Sequence, residues 1–181
     1  VALVGANGAD TSASITGDVE AYIDAGATVT LGGAALVDAV SVSTADSSGE
    51  GGSGGIVTAS VMFVAADISG DTRAWVGDDL TLESDSLTVS ASAENSVTAD
   101  ELSVAIAVAG GAGGEATGSI TANTEARVGA EQDTGSADDA VITTGALVVS
   151  ATTLNTVEVT PSGGAGGGVA IGGFEAAGSV G

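Results

Sequence analysis

A nine-residue phrase occurs three times in this chain: ITGDVEAYI at Ile15–Ile23, ISGDTRAWV at Ile68–Val76 and ITANTEARV at Ile120–Val128. Its opening residue returns after 53 and then 52 residues, and Val180 opens a fourth copy 60 residues further on. A unit that recurs at such an interval is the signature of a repeat array, in which each copy covers the apolar surface of its neighbours. The sequence therefore divides into the end of one repeat (1–14), three repeats (15–67, 68–119 and 120–179) and the start of another (180–181), forming one continuous array. Both ends are expected to be cut from, or processed out of, something longer. A chain of this kind works by being long and presenting surface rather than by enclosing one pocket.

The residues available to fill such an array are small. Ala and Val dominate the apolar set, and the aromatics are Tyr22, Phe63, Trp75 and Phe174. Such side chains fill thin spaces between closely apposed strands and leave a wide globular interior underfilled. The chain has 30 Gly and no Lys, with abundant Ser, Thr and Val, which disfavours helix and suits short strands joined by Gly turns. The fold class expected is all-β, a repetitive β-solenoid resembling a β-helix. Tandem small β-sandwiches are the alternative, because a repeat period does not by itself fix topology. As a solenoid, each repeat would hold two or three coils.

Within each repeat four parts recur. The anchor strand alternates small apolar or Thr positions with large polar or aromatic ones, the period of two of a half-buried strand. A turn with acids follows (Asp24–Gly26, Gly77–Asp79, Gly129–Glu131), with an insertion at Gln132–Asp139 in the third copy. Next comes a strand pair: Thr28–Leu31 with Val40–Ser43, Leu80–Leu82 with Leu87–Ala91, and Val141–Ile142 with Leu147–Ala151. Last is a Gly-rich or apolar stretch. There Val104–Val108 is expected to be buried on both faces, and Gly51–Gly55 and Gly111–Ala116 are expected to be turns. Those last two match nucleophile-elbow and dinucleotide patterns by letter. They lack the context, since the chain has no His and no helix signal follows.

Charge narrows the function classes. Twenty-four acids stand against Arg73 and Arg127, a net charge of −22. No basic patch is available for nucleic acid or for an anionic membrane surface, and no apolar run is long enough to insert in a bilayer as a helix. Zinc sites need Cys or His, and the chain has neither. Carboxylates alone leave polysaccharide cleavage as a remote alternative, with few aromatics to hold a sugar. The heavy acidity also fits a high-salt habitat, where self-repulsion is screened.

The phrase TxAxVG at 72–77 and 124–129, the segment LTVSA at 87–91 and tracts such as Gly166–Gly173 resemble the repeat regions of giant bacterial β-strand-repeat surface proteins and filamentous adhesins. The resemblance spans essentially the whole chain and supplies no catalytic or ligand residues. It implies a secreted, rod-like solenoid at the cell surface, spacing or displaying adhesive regions. The function expected is thus a structural repeat segment of a surface adhesin or extracellular filament. Its partners would be copies of itself in a fibre, added end to end through exposed strand edges, together with a surface receptor or glycan of unspecified kind. The expected location is extracellular.

Two sets of residues stand out. The outward positions of the anchor strand form a surface ladder: Glu20, Arg73 and Glu125 in one column, Tyr22, Trp75 and Arg127 in the next. If equivalent strands stack in register, the first column alternates charge and the second places the Arg127 guanidinium over an aromatic face; with two or three coils per repeat, these equivalents would lie too far apart to touch. The acidic turns offer clustered carboxylates, and Asp78, Asp79, Asp138 and Asp139 are the candidate calcium ligands of an alternative, calcium-stabilised binding module.

Overall fold

The computed structural model describes residues 3–129 and 140–181. Among them every regular element is a strand: β1 (Val4–Ile15), β2 (Val19–Ile23), β3 (Thr28–Thr30), β4 (Ala34–Ile68), β5 (Thr72–Val76), β6 (Thr81–Ser84), β7 (Ser86–Ile120), β8 (Thr124–Val128), β9 (Val141–Thr144), β10 (Leu147–Gly166) and β11 (Val169–Val180). All pairings are parallel. One sheet runs β1-β4-β7-β10 with β11 also on β7, a second β2-β5-β8, and a third β3-β6-β9.

The pairing joins each repeat to the next. Ile15 lies opposite Ile68, Ile68 opposite Ile120, and Ile120 opposite Val180. The chain thus visits the three sheets once per repeat, and each repeat makes one circuit rather than two or three. The expected strand pairs within a repeat do not form either. Thr28–Thr30 pairs with Thr81–Glu83 of the next repeat, and Val40–Ser43 lies inside β4 and pairs with β7.

The long strands were hidden by their glycines. Gly51–Gly55 and Gly111–Ala116 are extended segments of β4 and β7, not turns. Glycine is intrinsically poor in a strand. Here the neighbours in the sheet hold it extended, and its small size lets two layers close together.

Each long strand folds back on itself. In β4 the buried side alternates on odd residues up to Gly55 and on even residues from Thr58, and the pairing with β7 skips Ile56. The same switch occurs in β7 near Val108. In the third repeat the bend separates β10 from β11. An outbound arm (34–55, 86–107, 147–166) therefore faces a return arm (57–68, 109–120, 169–180). Ala45 packs in one cluster with Val64, Ala66 and Ile68, as Val97 and Ala99 do with Ala116 and Ile120. At the base of the arms, Ala35, Val37, Leu87 and Val89 pack on Ala74 and Val76 of β5, Leu82 of β6 and Leu80 just before it. The core is thus two thin layers of mostly Ala, Val, Ile and Leu. Val104–Val108 is buried on one face only, since Ile106 and Val108 are 67% and 65% exposed.

Corners are tight. A side chain at Gly70, between β4 and β5, would sit 2.1 Å from the Gly17 carbonyl oxygen of the neighbouring rung. The Asp or Asn of the recurring phrase secures the same corner: the Asp71 N–H donates to Asp18 Oδ1, and the Asn123 N–H donates to Asp71 Oδ1, both at 2.8 Å.

Candidate functional surface

The anchor strands bring the ladder residues into direct register. Glu20 lies opposite Arg73 and Arg73 opposite Glu125; Tyr22 lies opposite Trp75 and Trp75 opposite Arg127. One circuit per repeat makes these equivalents immediate neighbours, so the expected separation does not occur. The Tyr22 and Trp75 rings stack with centroids 4.6 Å apart and planes 7° from parallel, and the Arg127 guanidinium lies 5.4 Å from the Trp75 ring centre. Parallel in-register pairing puts successive rungs about 4.8 Å apart, close to the offset-stacking distance of two rings.

The first column is less regular than its letters suggest. Arg73 Nη1 lies 3.5 Å from Glu20 Oε1, and its other arm binds the Asp71 carboxylate. Glu125 instead pairs at 3.0 Å with Arg127 of its own strand, and Arg127 also donates to the Gly129 carbonyl. The Arg73 ion pairs are partly exposed and contribute modestly to stability.

The acidic turns hold a conformational role. Gly26 sits at φ 73° and Asp79, its equivalent one rung on, at φ 47°. The Gly26 N–H donates to the Asp79 carbonyl, stacking the two turns. Asp tolerates this left-handed region better than most residues, which gives Asp79 a structural reason to be there. Among the described residues no three acidic side chains come close enough together to hold a metal ion. Asp138 and Asp139 lie outside the described residues.

One residue escaped the sequence reading. Glu101 is 1% exposed and neither carboxylate oxygen has a hydrogen-bond partner. Its side chain occupies the space a Cβ on Gly114 would need, since such an atom would lie 2.3 Å from the Glu101 Cδ. The residues above and below Gly114 are Met62 and Phe174, so an apolar side chain flanks the carboxyl on either side. Burial is the larger influence and raises the pKa above the ordinary 4.5; the Ser162 backbone N–H, nearby but outside hydrogen-bond geometry, acts in the opposite direction. The signal was present in the sequence: Ala93, Asn95, Val97, Ala99, Glu101 and Ser103 keep one parity, and that parity faces inward.

The interior near the bend is unusually polar around this group. Ser103 donates to Ser60 at 2.9 Å, and the buried Ser53 and Thr58 hydroxyls have no partner.

No family model, curated protein or solved structure matches the chain.

Proposed function

We propose that the chain is a structural repeat segment of a secreted cell-surface adhesin or extracellular filament, a β-solenoid rod that adds copies end to end. The observation that carries this is the unbroken parallel register between repeats, in which equivalent residues of successive repeats pair in all three sheets. Tandem sandwiches would instead pair their strands mainly within a repeat. A rod of this kind transmits load along its axis through rows of backbone hydrogen bonds, and each rung repeats the surface of the last. Among the described residues, the outermost strands of the β2-β5-β8 and β3-β6-β9 sheets pair on one side only, which leaves edges that another rung can extend. The acidic exterior keeps such a β-rich rod soluble and restrains indiscriminate pairing.

Electron micrographs of the purified protein, with and without a calcium chelator, test the proposal. It expects filaments of uniform width in both conditions. Filaments lost with chelator would shift the account to a calcium-stabilised binding module. Discrete particles in both would reject end-to-end assembly.

A further inference from the structure

Among the described residues, one continuous stretch of surface at the bend carries no charged side chain. It is the tip of the rungs, on both sides of the bend. On the return side the outward residues of the second repeat are Ala109, Gly111 and Gly113. Their partners in the first repeat are Val57, Ala59 and Val61, and in the third Val169, Ile171 and Gly173. On the outbound side Val104 and Ile106 project between Gly52 and Gly54 on one rung and Gly164 and Gly166 on the other. No polar side chain stands among these outward positions. The acids begin immediately beyond them, with Glu50 and Asp100 on the outbound side and Glu115 and Glu175 on the return side.

The two sides have opposite relief. The outbound side is a ridge in its middle rung, made by Val104 and the 67%-exposed Ile106 and flanked by Gly52, Gly54, Gly164 and Gly166. The return side is a trough in that same rung, floored by Ala109, Gly111 and Gly113 and walled by Val57, Val61, Val169 and Ile171. A shallow groove bounded by Val61, Phe63, Gly113 and Gly173 continues this trough toward the acids. Rows on both sides share the spacing of parallel strands, so a ridge on one molecule can lie along a trough on another.

We propose that this face docks a second copy of the chain, the Val104–Ile106 ridge of one molecule seated in the Ala109–Gly113 trough of the next. The contact goes beyond end-to-end addition, because it joins rods side by side and leaves the rung edges free. Relief selects the partner, since one chain carries both the ridge and the trough that fits it; charge places the contact, since over much of the remaining described surface two copies would bring carboxylates together. Because ridge meets trough, the contact is heterologous and propagates into an open lateral stack. Three rungs by three outward positions give a footprint of about 300 Å², well under the roughly 800 Å² per partner of a stable complex. Association is therefore weak, concentration-dependent and promoted by salt, which shortens the reach of the acidic repulsion to about 3 Å at 1 M.

The test is sedimentation velocity of the full chain, up to about 1 mM protein, at low salt and at about 1 M sodium chloride. Two variants each remove one side: Ile106→Glu at the 67%-exposed ridge, and Gly111→Glu, whose Cβ has only ordinary contact with the Ile171 carbonyl at 3.7 Å. Circular dichroism melts check that both fold. The expected result is salt-promoted association of the wild type, at least about tenfold weaker in each variant alone. An equimolar mixture should form a 1:1 dimer, since each variant keeps the side the other lacks. A monomeric wild type under all conditions, variants that associate like wild type, or a mixture that fails to pair would each overturn the proposal. End-to-end association alone would persist in both variants and so falls among the overturning results. Wild type that stays monomeric but floats with uncharged phosphatidylcholine vesicles would assign the face to a lipid surface instead.

Discussion

Replacing Glu101 with Met is expected to stabilise the protein, by an amount that depends on pH. The carboxyl is buried between Met62 and Phe174, over Gly114, with both oxygens unpartnered. Leaving a buried polar group without a partner costs about 1–3 kcal/mol, and more when it is charged. Methionine is of similar length, adds no polar atom and continues the apolar column. The Glu101→Met variant should therefore gain about 1–3 kcal/mol at neutral pH. The folded-state pKa is raised above the unfolded 4.5 by burial. Below that value both states of the wild type carry the proton, and the gain is smallest. As pH rises through the interval between the unfolded and folded pKa, the unfolded wild type ionises first and the folded wild type is progressively destabilised. The advantage of the variant grows through that interval and then levels off. Urea titrations followed by far-UV circular dichroism, at acidic and neutral pH, measure it. A variant no more stable than wild type at neutral pH, or a gain that does not change with pH, would refute this account of Glu101.

Other substitutions probe the same features. Gly114→Ala should cost about 1–3 kcal/mol by overpacking against Glu101, and most of that loss should vanish in a Glu101→Ala background, as a double-mutant cycle of unfolding free energies would show. Asp79→Gly should leave stability unchanged or raise it by up to about 1 kcal/mol, whereas Asp79→Val should lower it by about 1–2 kcal/mol, because only the former relieves the left-handed backbone. Trp75→Ala removes both the Tyr22 stack and the Arg127 contact and should cost about 1–3 kcal/mol. Arg73→Ala should cost under ~1 kcal/mol; thermal melts of the two variants should rank them in that order.

The recurring phrase made much of this structure legible. The spacing of Ile15, Ile68, Ile120 and Val180 equals the register in which they pair, and the alternation in Val19–Ile23 and Thr72–Val76 marks their buried sides. What the spacing could not reveal was the path taken between anchors, because a period gives the length of a repeat and not the number of circuits it makes. Gly51–Gly55 and Gly111–Gly114 misled for a physical reason. Isolated glycines favour turns, but pairing with β7 holds Gly51–Gly55 extended and pairing with β4 and β11 holds Gly111–Gly114, and the missing side chains make room for Met62 and Glu101. Arg127 shows how one rung of spacing turns two letters in a column into a contact, once the repeats stack directly. Glu101 was within reach of the sequence, had the odd-numbered alternation been followed past Ala91. The charge-free tip was not, because its two sides are assembled from residues on three different repeats.

The central claim is that equivalent residues of successive repeats stack on adjacent strands, and the absence of Cys from the chain allows a direct test by disulfide capture. Ser90 and Ser150 pair in register across β7 and β10. Their Cα atoms should be about 4.8 Å apart, within disulfide reach. Ser150 and Thr88 are two residues out of register, at about 8 Å and beyond that reach. Under mild oxidation at low protein concentration, the account predicts rapid intramolecular crosslinking of Ser90→Cys with Ser150→Cys and little for Thr88→Cys with Ser150→Cys. Failure of the in-register pair to close, or equal closure of both pairs, would contradict it.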